Sequence, residues 1–218
     1  MKLYPSLLTD NPGFFQSELN RFAEFEPQPD VVQVDIIDGE FADNLTVEAG
    51  HIRSAENPGF RFDIHLMTIE PAQQLEEFWG LQSIRAVIGQ IERMHDVEQF
   101  VADVQEGGWL AGLSLDIFTP VAALEEFNLE TVAIVQLMGN QAGKQGQEMH
   151  PGLLDKVAEL KTLRSELGLS FEIYVDIGVN EQTAPSLMQA GVDGAVLGSA
   201  IQGSEGQVHW KALHTTKG

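Results

Sequence analysis

Cysteine is absent from this chain of 218 residues, and basic side chains are scarce. Without cysteine the chain has no disulfide, thiolate metal ligand or thiol nucleophile, so a metal site must use histidine, carboxylate or amide groups. Lysine and arginine number 12 against 33 aspartates and glutamates, which gives a formal net charge of -21. That charge repels nucleic-acid phosphates and anionic membranes, and we expect neither as a partner.

Long apolar segments are also missing, since no run approaches the roughly 18 residues that cross a membrane. The first apolar stretch is interrupted by Pro5, Asp10 and Pro12, which is not the pattern of a signal peptide. We therefore expect a cytoplasmic protein. The length suits a single domain over residues 1–218.

Short apolar runs alternate with amphipathic stretches of helical period, which favours βα units and a parallel sheet. Strands are predicted at 3–7, 31–36, 61–66, 84–88, 110–115, 132–138, 172–176 and 194–197. Helices are predicted at 12–25, 46–55, 71–78, 97–106, 120–127, 151–167, 181–190 and 206–214. This rhythm predicts a TIM (β/α)8 barrel. A doubly wound open sheet is the rival, but no GxGxxG segment follows the first strand.

Charged residues stand where three of these strands end. Alternation along a strand places Gln33 and Asp35 on one face of the second strand, while His65 ends the third and Asp176 the seventh. In a barrel these ends meet at one mouth, where active sites lie. A lone strand-end aspartate often only accepts loop N–H groups. Three together are costly to bury unless they share a site, so we expect one.

Several segments together carry a resemblance to a known family. They are Pro5-Ser6-Leu7-Leu8, Val34-Asp35-Ile36-Ile37-Asp38-Gly39-Glu40-Phe41, Asn44, Asp63-Ile64-His65-Leu66-Met67, Leu137-Met138, Val175-Asp176-Ile177-Gly178-Val179-Asn180 and Gly198-Ser199-Ala200-Ile201. The chain resembles the ribulose-phosphate 3-epimerase family from about Leu3 to Gln202. The resemblance implies a barrel of the ribulose-phosphate-binding type.

The resemblance also implies roles for the strand-end residues. Asp35 and Asp176 form the acid/base pair that acts on opposite faces of the sugar. A divalent metal, zinc, iron or manganese in the family, is held by Asp35, His65 and Asp176. The family's fourth ligand is a histidine, and its position here is Gln33. An amide oxygen is a weaker ligand than imidazole for such metals and favours harder cations.

The remaining substrate contacts are implied in the same way. Beyond the acid/base pair they comprise Ser6, His65, Met67, Met138, Gly143, Gly146, Gly178, Gly198 and Ser199. The glycines and Ser199 are expected to offer backbone N–H groups to a phosphate, because the chain is too acidic to hold it with a basic surface. Gln90, Ile37 and Ile177 depart from the family pattern at the same mouth.

Two hypotheses follow. In the first, the protein inverts carbon 3 of a ketose phosphate, D-ribulose 5-phosphate and D-xylulose 5-phosphate or a related sugar phosphate, by two-carboxylate proton transfer. In the second, it is a catalytically silent barrel that binds a phosphosugar or a partner protein and has lost full metal ligation. The resemblance further suggests a homo-oligomer.

Overall fold

The computed structural model describes residues 1–215, and eight parallel strands form a closed barrel within them. The strands are β1 (Lys2–Leu7), β2 (Val31–Ile37), β3 (Arg61–Met67), β4 (Ile84–Gln90), β5 (Leu110–Leu115), β6 (Ile134–Met138), β7 (Glu172–Asp176) and β8 (Gly194–Leu197). Pairing of β1 with β8, from Lys2 opposite Gly194 to Pro5 opposite Leu197, closes the sheet. The predicted barrel is confirmed, and the open sheet is excluded.

Helices lie between most consecutive strands. They are α1 (Pro12–Ala23), α2 (Ala49–Ser54), α3 (Leu75–Phe78), α4 (Val97–Glu106), α5 (Leu153–Glu166), α6 (Ala184–Ala190) and α7 (Gly206–Thr215). Short 3-10 helices occupy Pro71–Gln74, Ile91–Arg93, Val121–Glu126 and Ser199–Ile201. The predicted single domain runs to residue 218, so its last three positions lie outside the described residues.

Local chemistry explains where the helices start. In α1, Pro12 stands at the first helical position and the Asn11 side chain accepts hydrogen bonds from the backbone N–H groups of Gly13 (2.9 Å) and Phe14 (3.0 Å). Its buried face carries Phe15, Leu19 and Phe22, at the spacing of one helical stripe. That stripe packs into the main hydrophobic core around the barrel.

Several predicted elements differ from the structure at their ends or in their type, among them the helix predicted at 46–55, which begins at Ala49, and that at 71–78, whose first half is a 3-10 helix. The segment predicted as a helix at 120–127 is a 3-10 helix, whose steeper rise lets a few residues span the gap between strands. Strand β6 begins at Ile134 because the Val132 N–H is engaged in a turn with Leu129. Residues 181–183 form a turn before α6. In this turn the Asn180 side-chain oxygen accepts hydrogen bonds from the backbone N–H groups of Gln182 and Thr183.

Alternate strand residues point into the barrel, and this alternation stacks its polar groups in levels. Asp63 on β3 and Tyr174 on β7 lie toward the N-terminal end. Two residues further along the same strands, His65 and Asp176 lie at the C-terminal mouth, and Asp35 pairs in register with His65. Among residues 1–215, no helix is long and apolar enough to span a membrane.

Candidate active site at the barrel mouth

Three buried ionisable side chains meet at the C-terminal mouth. His65 Nδ1 lies 3.1 Å from Asp35 Oδ1 and 3.9 Å from Asp176 Oδ2. Strands β2, β3 and β7 each supply one of them at its C-terminal end, as the strand alternation predicts. The shared site expected from the sequence is therefore a geometric fact.

Gln33 lies directly beneath the two carboxyl groups. Its amide Nε2 donates to Asp35 Oδ1 and to Asp176 Oδ2, each at 2.8 Å. Its other amide atom, Oε1, is buried and has no hydrogen-bond partner within residues 1–215. The position predicted as a fourth metal ligand thus contacts the same two carboxyl groups, with its nitrogen toward them.

The like charges of the pair affect the acidity of Asp176. Burial, together with the negative charge of Asp35, raises the pKa of Asp176 to about 7. His65, the Gln33 amide and the backbone N–H of Ile177 oppose part of this shift, because they stabilise the charged form. A carboxyl group with this pKa can both accept and return a proton near neutral pH.

His65 is completely buried and sits among amides. Its Nε2 lies 3.2 Å from the Gln90 amide, and all neighbours of Gln90 are satisfied when the amide oxygen faces His65 and Ser114 while the nitrogen faces Glu92. On its other side, His65 Nδ1 lies 3.3 Å from Gln136 Nε2. The imidazole is therefore held from both edges.

These side chains fit a divalent metal. Ligand atoms of Asp35, His65 and Asp176 all lie within 4.8 Å of one another, and the three residues are buried. Two like carboxyl groups facing one imidazole nitrogen gain most from a cation between them. The oxygen of the neighbouring Gln33 amide now faces away from the carboxyl groups, and turning the amide over would add a further donor of the kind that metals accept.

A pocket opens above the carboxyl pair. Its lining includes nearly all of the substrate residues predicted from the sequence, namely Ser6, Met67, Met138, Gly143, Gly146, Gly178, Gly198 and Ser199. Asp35 and Asp176 also line it, whereas His65 and Gln33 lie below its floor.

One wall of the pocket is apolar. Ile37, Met67, Met138 and Ala142 form a buried cluster against which Ile177 packs. Ile177 has a φ of 74°, a left-handed conformation that is strained for a β-branched residue. The departures from the family pattern at Ile37 and Ile177 thus both fall on this wall.

Another part of the pocket lining is built from glycine backbone. Gly143, Gly146 and Gly178 have positive φ angles, and Gly178 packs so tightly against the Met149 backbone that a side chain would overlap it. Near them the 3-10 helix begins at Ser199, beside Gly198. In barrels of this type, the loops after strands seven and eight and a short extra helix commonly hold a phosphate.

Other strand-end aspartates have purely structural partners. Asp38 accepts backbone N–H groups from Glu40, Phe41 and Ile69, at 2.7–2.9 Å. Asp116 accepts from the N–H groups of Phe118 and Ala142. Asp35 has no such loop partner among the described residues, and this separates it from aspartates that only tie loops together.

Two residues of the site were not predicted from the sequence. Gln136 is fully buried beside His65, and Gln145 lines the pocket near Gly198. Gln136 stands two positions before Met138, so strand alternation places it on the same inward face, and that signal was available. Gln145 lies in a loop, for which periodicity gives no signal.

The chain is a (β/α)8-barrel protein with paired carboxyl groups at the C-terminal mouth, where barrel enzymes have their active sites. Among solved structures, the fold is similar to 3-hexulose-6-phosphate synthase from Salmonella typhimurium, with a TM-score of 0.64 and 15% identity over 99% of this chain and 97% of that chain. It is also similar to a tryptophan synthase alpha-subunit from Pyrococcus furiosus, with a TM-score of 0.65 and 19% identity over 99% and 94%. At such identities these structures show the fold alone.

Sequence relatives go further than the fold. A model of the ribulose-phosphate 3 epimerase family matches residues 2–202. The ribulose-phosphate 3-epimerase of Treponema pallidum is 36% identical over 171 residues, 78% of each chain. That of Bacillus subtilis is 31% identical over 209 residues, 93% of each chain. The chain belongs to the ribulose-phosphate 3-epimerase family, a family of isomerases, as its motifs predict.

Proposed function

We propose that this protein inverts carbon 3 of a ketose phosphate, D-ribulose 5-phosphate and D-xylulose 5-phosphate or a related sugar phosphate. The observation that carries the proposal is the placement of Asp35 and Asp176. They come from different strands, line the same pocket and lie close enough for one amide to bind both. Two carboxyl groups at one site are what proton removal and return require.

The reaction then divides between the two carboxyl groups. One carboxylate removes the proton on carbon 3, next to the carbonyl, and leaves an enediolate. The other carboxyl group, already protonated, delivers a proton to the opposite face of carbon 3. The raised pKa of Asp176 suits it to hold that proton near neutral pH.

The rest of the pocket positions the substrate. Met67 and Met138 form an apolar wall that excludes water from the enediolate. We assign the phosphate to the backbone N–H groups around Gly178, Gly198 and Ser199, which also line the pocket. Phosphate soaked into crystals should appear there, and density elsewhere with these loops empty would contradict a phosphosugar substrate.

A divalent metal held by Asp35, His65 and Asp176 would stabilise the negative charge that develops on the enediolate oxygens. The Gln90 and Gln136 amides contact the two ring nitrogens of His65 and so hold the imidazole in place. Its burial below the pocket floor favours the metal role over direct substrate contact.

The test is turnover of D-ribulose 5-phosphate, with deuterium incorporation at carbon 3 followed in deuterated water. We expect Asp35→Asn and Asp176→Asn each to lower turnover at least a thousandfold, because an amide has no basicity to offer. Asp103→Asn, on the exposed side of α4, is the matched control. Turnover close to the parent in either pocket variant would refute the two-carboxylate mechanism.

The silent-barrel hypothesis has one observation in its favour, because the Gln33 amide occupies the position between the two carboxyl groups. The same assay separates the two hypotheses. Parent protein that binds phosphate in the pocket but neither turns over the sugar nor exchanges its carbon 3 proton would establish the silent barrel.

A further inference from the structure

Within residues 1–215, two amide oxygens at the barrel mouth are buried without any hydrogen-bond partner. They are Gln33 Oε1 and Gln136 Oε1, on side chains with 1% and 0% exposure. Leaving a buried acceptor unpaired costs about 1–3 kcal/mol. No hydrogen bond to either oxygen therefore fixes its amide in the present orientation, and turning the amide over breaks none on that side.

Both amides border the carboxyl–imidazole cluster. Gln33 Nε2 lies 2.8 Å from Asp35 Oδ1 and from Asp176 Oδ2, and Gln136 Nε2 lies 3.3 Å from His65 Nδ1. A half-turn of an amide about its last side-chain bond exchanges nitrogen and oxygen in place. Each glutamine can thus present an oxygen where it now presents a nitrogen.

The proton on His65 decides what the cluster lacks. In the neutral imidazole, with the Gln90 oxygen accepting at 3.2 Å from His65 Nε2, the proton is on Nε2 and the lone pair is on Nδ1. That lone pair faces Asp35 Oδ1 at 3.1 Å, so two acceptors confront each other. A cation between these two atoms removes their repulsion. It also neutralises the carboxylates, which then no longer require the amide N–H groups as donors.

We infer that Gln136, together with Gln33, turns its amide oxygen toward a bound cation and makes this an oxygen-rich site, whose selectivity is shifted from zinc toward manganese(II). The donors are then two carboxylates, two amide oxygens and one imidazole. Such a set suits larger, six-coordinate cations, whereas zinc prefers four ligands rich in nitrogen or sulfur. Only the catalytic use of the cation rests on the proposed function, since its binding is tested separately.

The test measures Mn²⁺ and Zn²⁺ affinity of the full chain, stripped with chelator, by calorimetry, with electron paramagnetic resonance for Mn²⁺. The key variant is Gln136→Leu, which removes an unpaired buried oxygen together with the Nε2 contact to His65. We expect Mn²⁺ affinity to fall about tenfold or more, and Zn²⁺ affinity to fall only as far as it does when the imidazole alone is loosened.

Gln90→Leu is the matched control. It makes the same chemical change at an equally buried glutamine that also contacts His65, but on the edge away from the carboxyl groups. We expect it to weaken both metals together and leave their ratio unchanged, because it affects only how the imidazole is held.

Equal Mn²⁺ affinity in the parent and Gln136→Leu, or Mn²⁺ and Zn²⁺ affinities that fall by the same factor in this variant, would overturn the inference. Turnover of D-ribulose 5-phosphate by the same preparations keeps the two proposals apart. Manganese binding that depends on Gln136 in a protein without turnover supports the cation site and contradicts the proposed epimerase.

Discussion

The two ends of the barrel interior bury acidic groups in opposite ways. Near the N-terminal end, Arg85 donates two hydrogen bonds to Asp63, from Nε to Oδ1 at 2.8 Å and from Nη2 to Oδ2. Its Nη2 also donates to the Tyr174 hydroxyl at 3.1 Å. At the mouth, the ion pairs of Asp35 and Asp176 within residues 1–215 are with His65 alone. At the N-terminal end a guanidinium neutralises the buried carboxylate, whereas at the mouth no lysine or arginine among the described residues neutralises the carboxyl pair.

This difference separates stability from function within one barrel. A carboxylate paired with a fixed guanidinium cannot act as a base, since its charge is already compensated. The mouth keeps two carboxyl groups close together with neutral amides as neighbours, which costs folding energy and raises a pKa toward neutrality. We expect substitutions at the two ends to change stability in opposite directions.

The largest effect should follow Arg85→Leu. Removing this cation leaves Asp63 charged and buried without a partner, which costs about 3–5 kcal/mol of unfolding free energy. Urea denaturation followed by circular dichroism measures it. Arg53→Leu is the control, because Arg53 is exposed and donates only to backbone oxygens. A loss below about 1 kcal/mol for Arg85→Leu would remove the distinction between the two ends.

The mouth should respond in the other direction. Asp176→Asn in metal-free protein removes one of two like charges but keeps an oxygen that accepts from Gln33, so we expect a gain of about 1–2 kcal/mol while turnover is lost. Asp63→Asn is the matched change at the other end and should destabilise. If both variants lose stability in denaturation curves, the mouth is not strained by its charges.

The sequence predicts the mouth better than the opposite end, for a physical reason. Strand alternation suffices to bring Asp35, His65 and Asp176 together, because each stands at a C-terminal strand end. Arg85 bonds to Asp63 across a shift in the β3–β4 register, where Phe62 pairs with Ile84 but Asp63 pairs with Ala86, so that Arg85 is skipped. Periodicity alone does not reveal such a shift.

The amide orientations at the mouth are also beyond sequence reasoning. Gln33 was predicted to face the carboxyl groups, and it does, but which amide atom it presents depends on the hydrogen-bonding partners around it. Gln136 lies on an inward position of β6 that the pattern already contained. Its importance becomes visible only through its distance to His65 and its unpaired oxygen.

The next prediction concerns Gln33→His, which adds an imidazole to the neutral neighbours of the carboxyl pair. We expect zinc affinity to rise about tenfold, because imidazole is a better ligand for zinc than an amide oxygen. Zinc titration of both chelator-treated forms by calorimetry measures the change. Equal affinity in the two forms would show that this side chain does not reach the metal.

The smallest effect concerns Lys156, a buried cation whose hydrogen bond is to the backbone oxygen of Asp116 rather than to a carboxylate. Burial lowers the pKa of Lys156 to about 8. Between this value and its ordinary 10.5 the unfolded chain binds more protons than the folded one, so the Lys156 contribution to stability rises with pH across this window. With solvent screening, the rise is about 1 kcal/mol.

Lys156→Met should lack this rise in stability with pH. Unfolding free energies of the parent and the variant at pH 8 and pH 10, subtracted at each pH, cancel the titration of Tyr4 and Tyr174. A difference that does not change between the two values would mean that a carboxylate compensates Lys156 as Asp63 compensates Arg85.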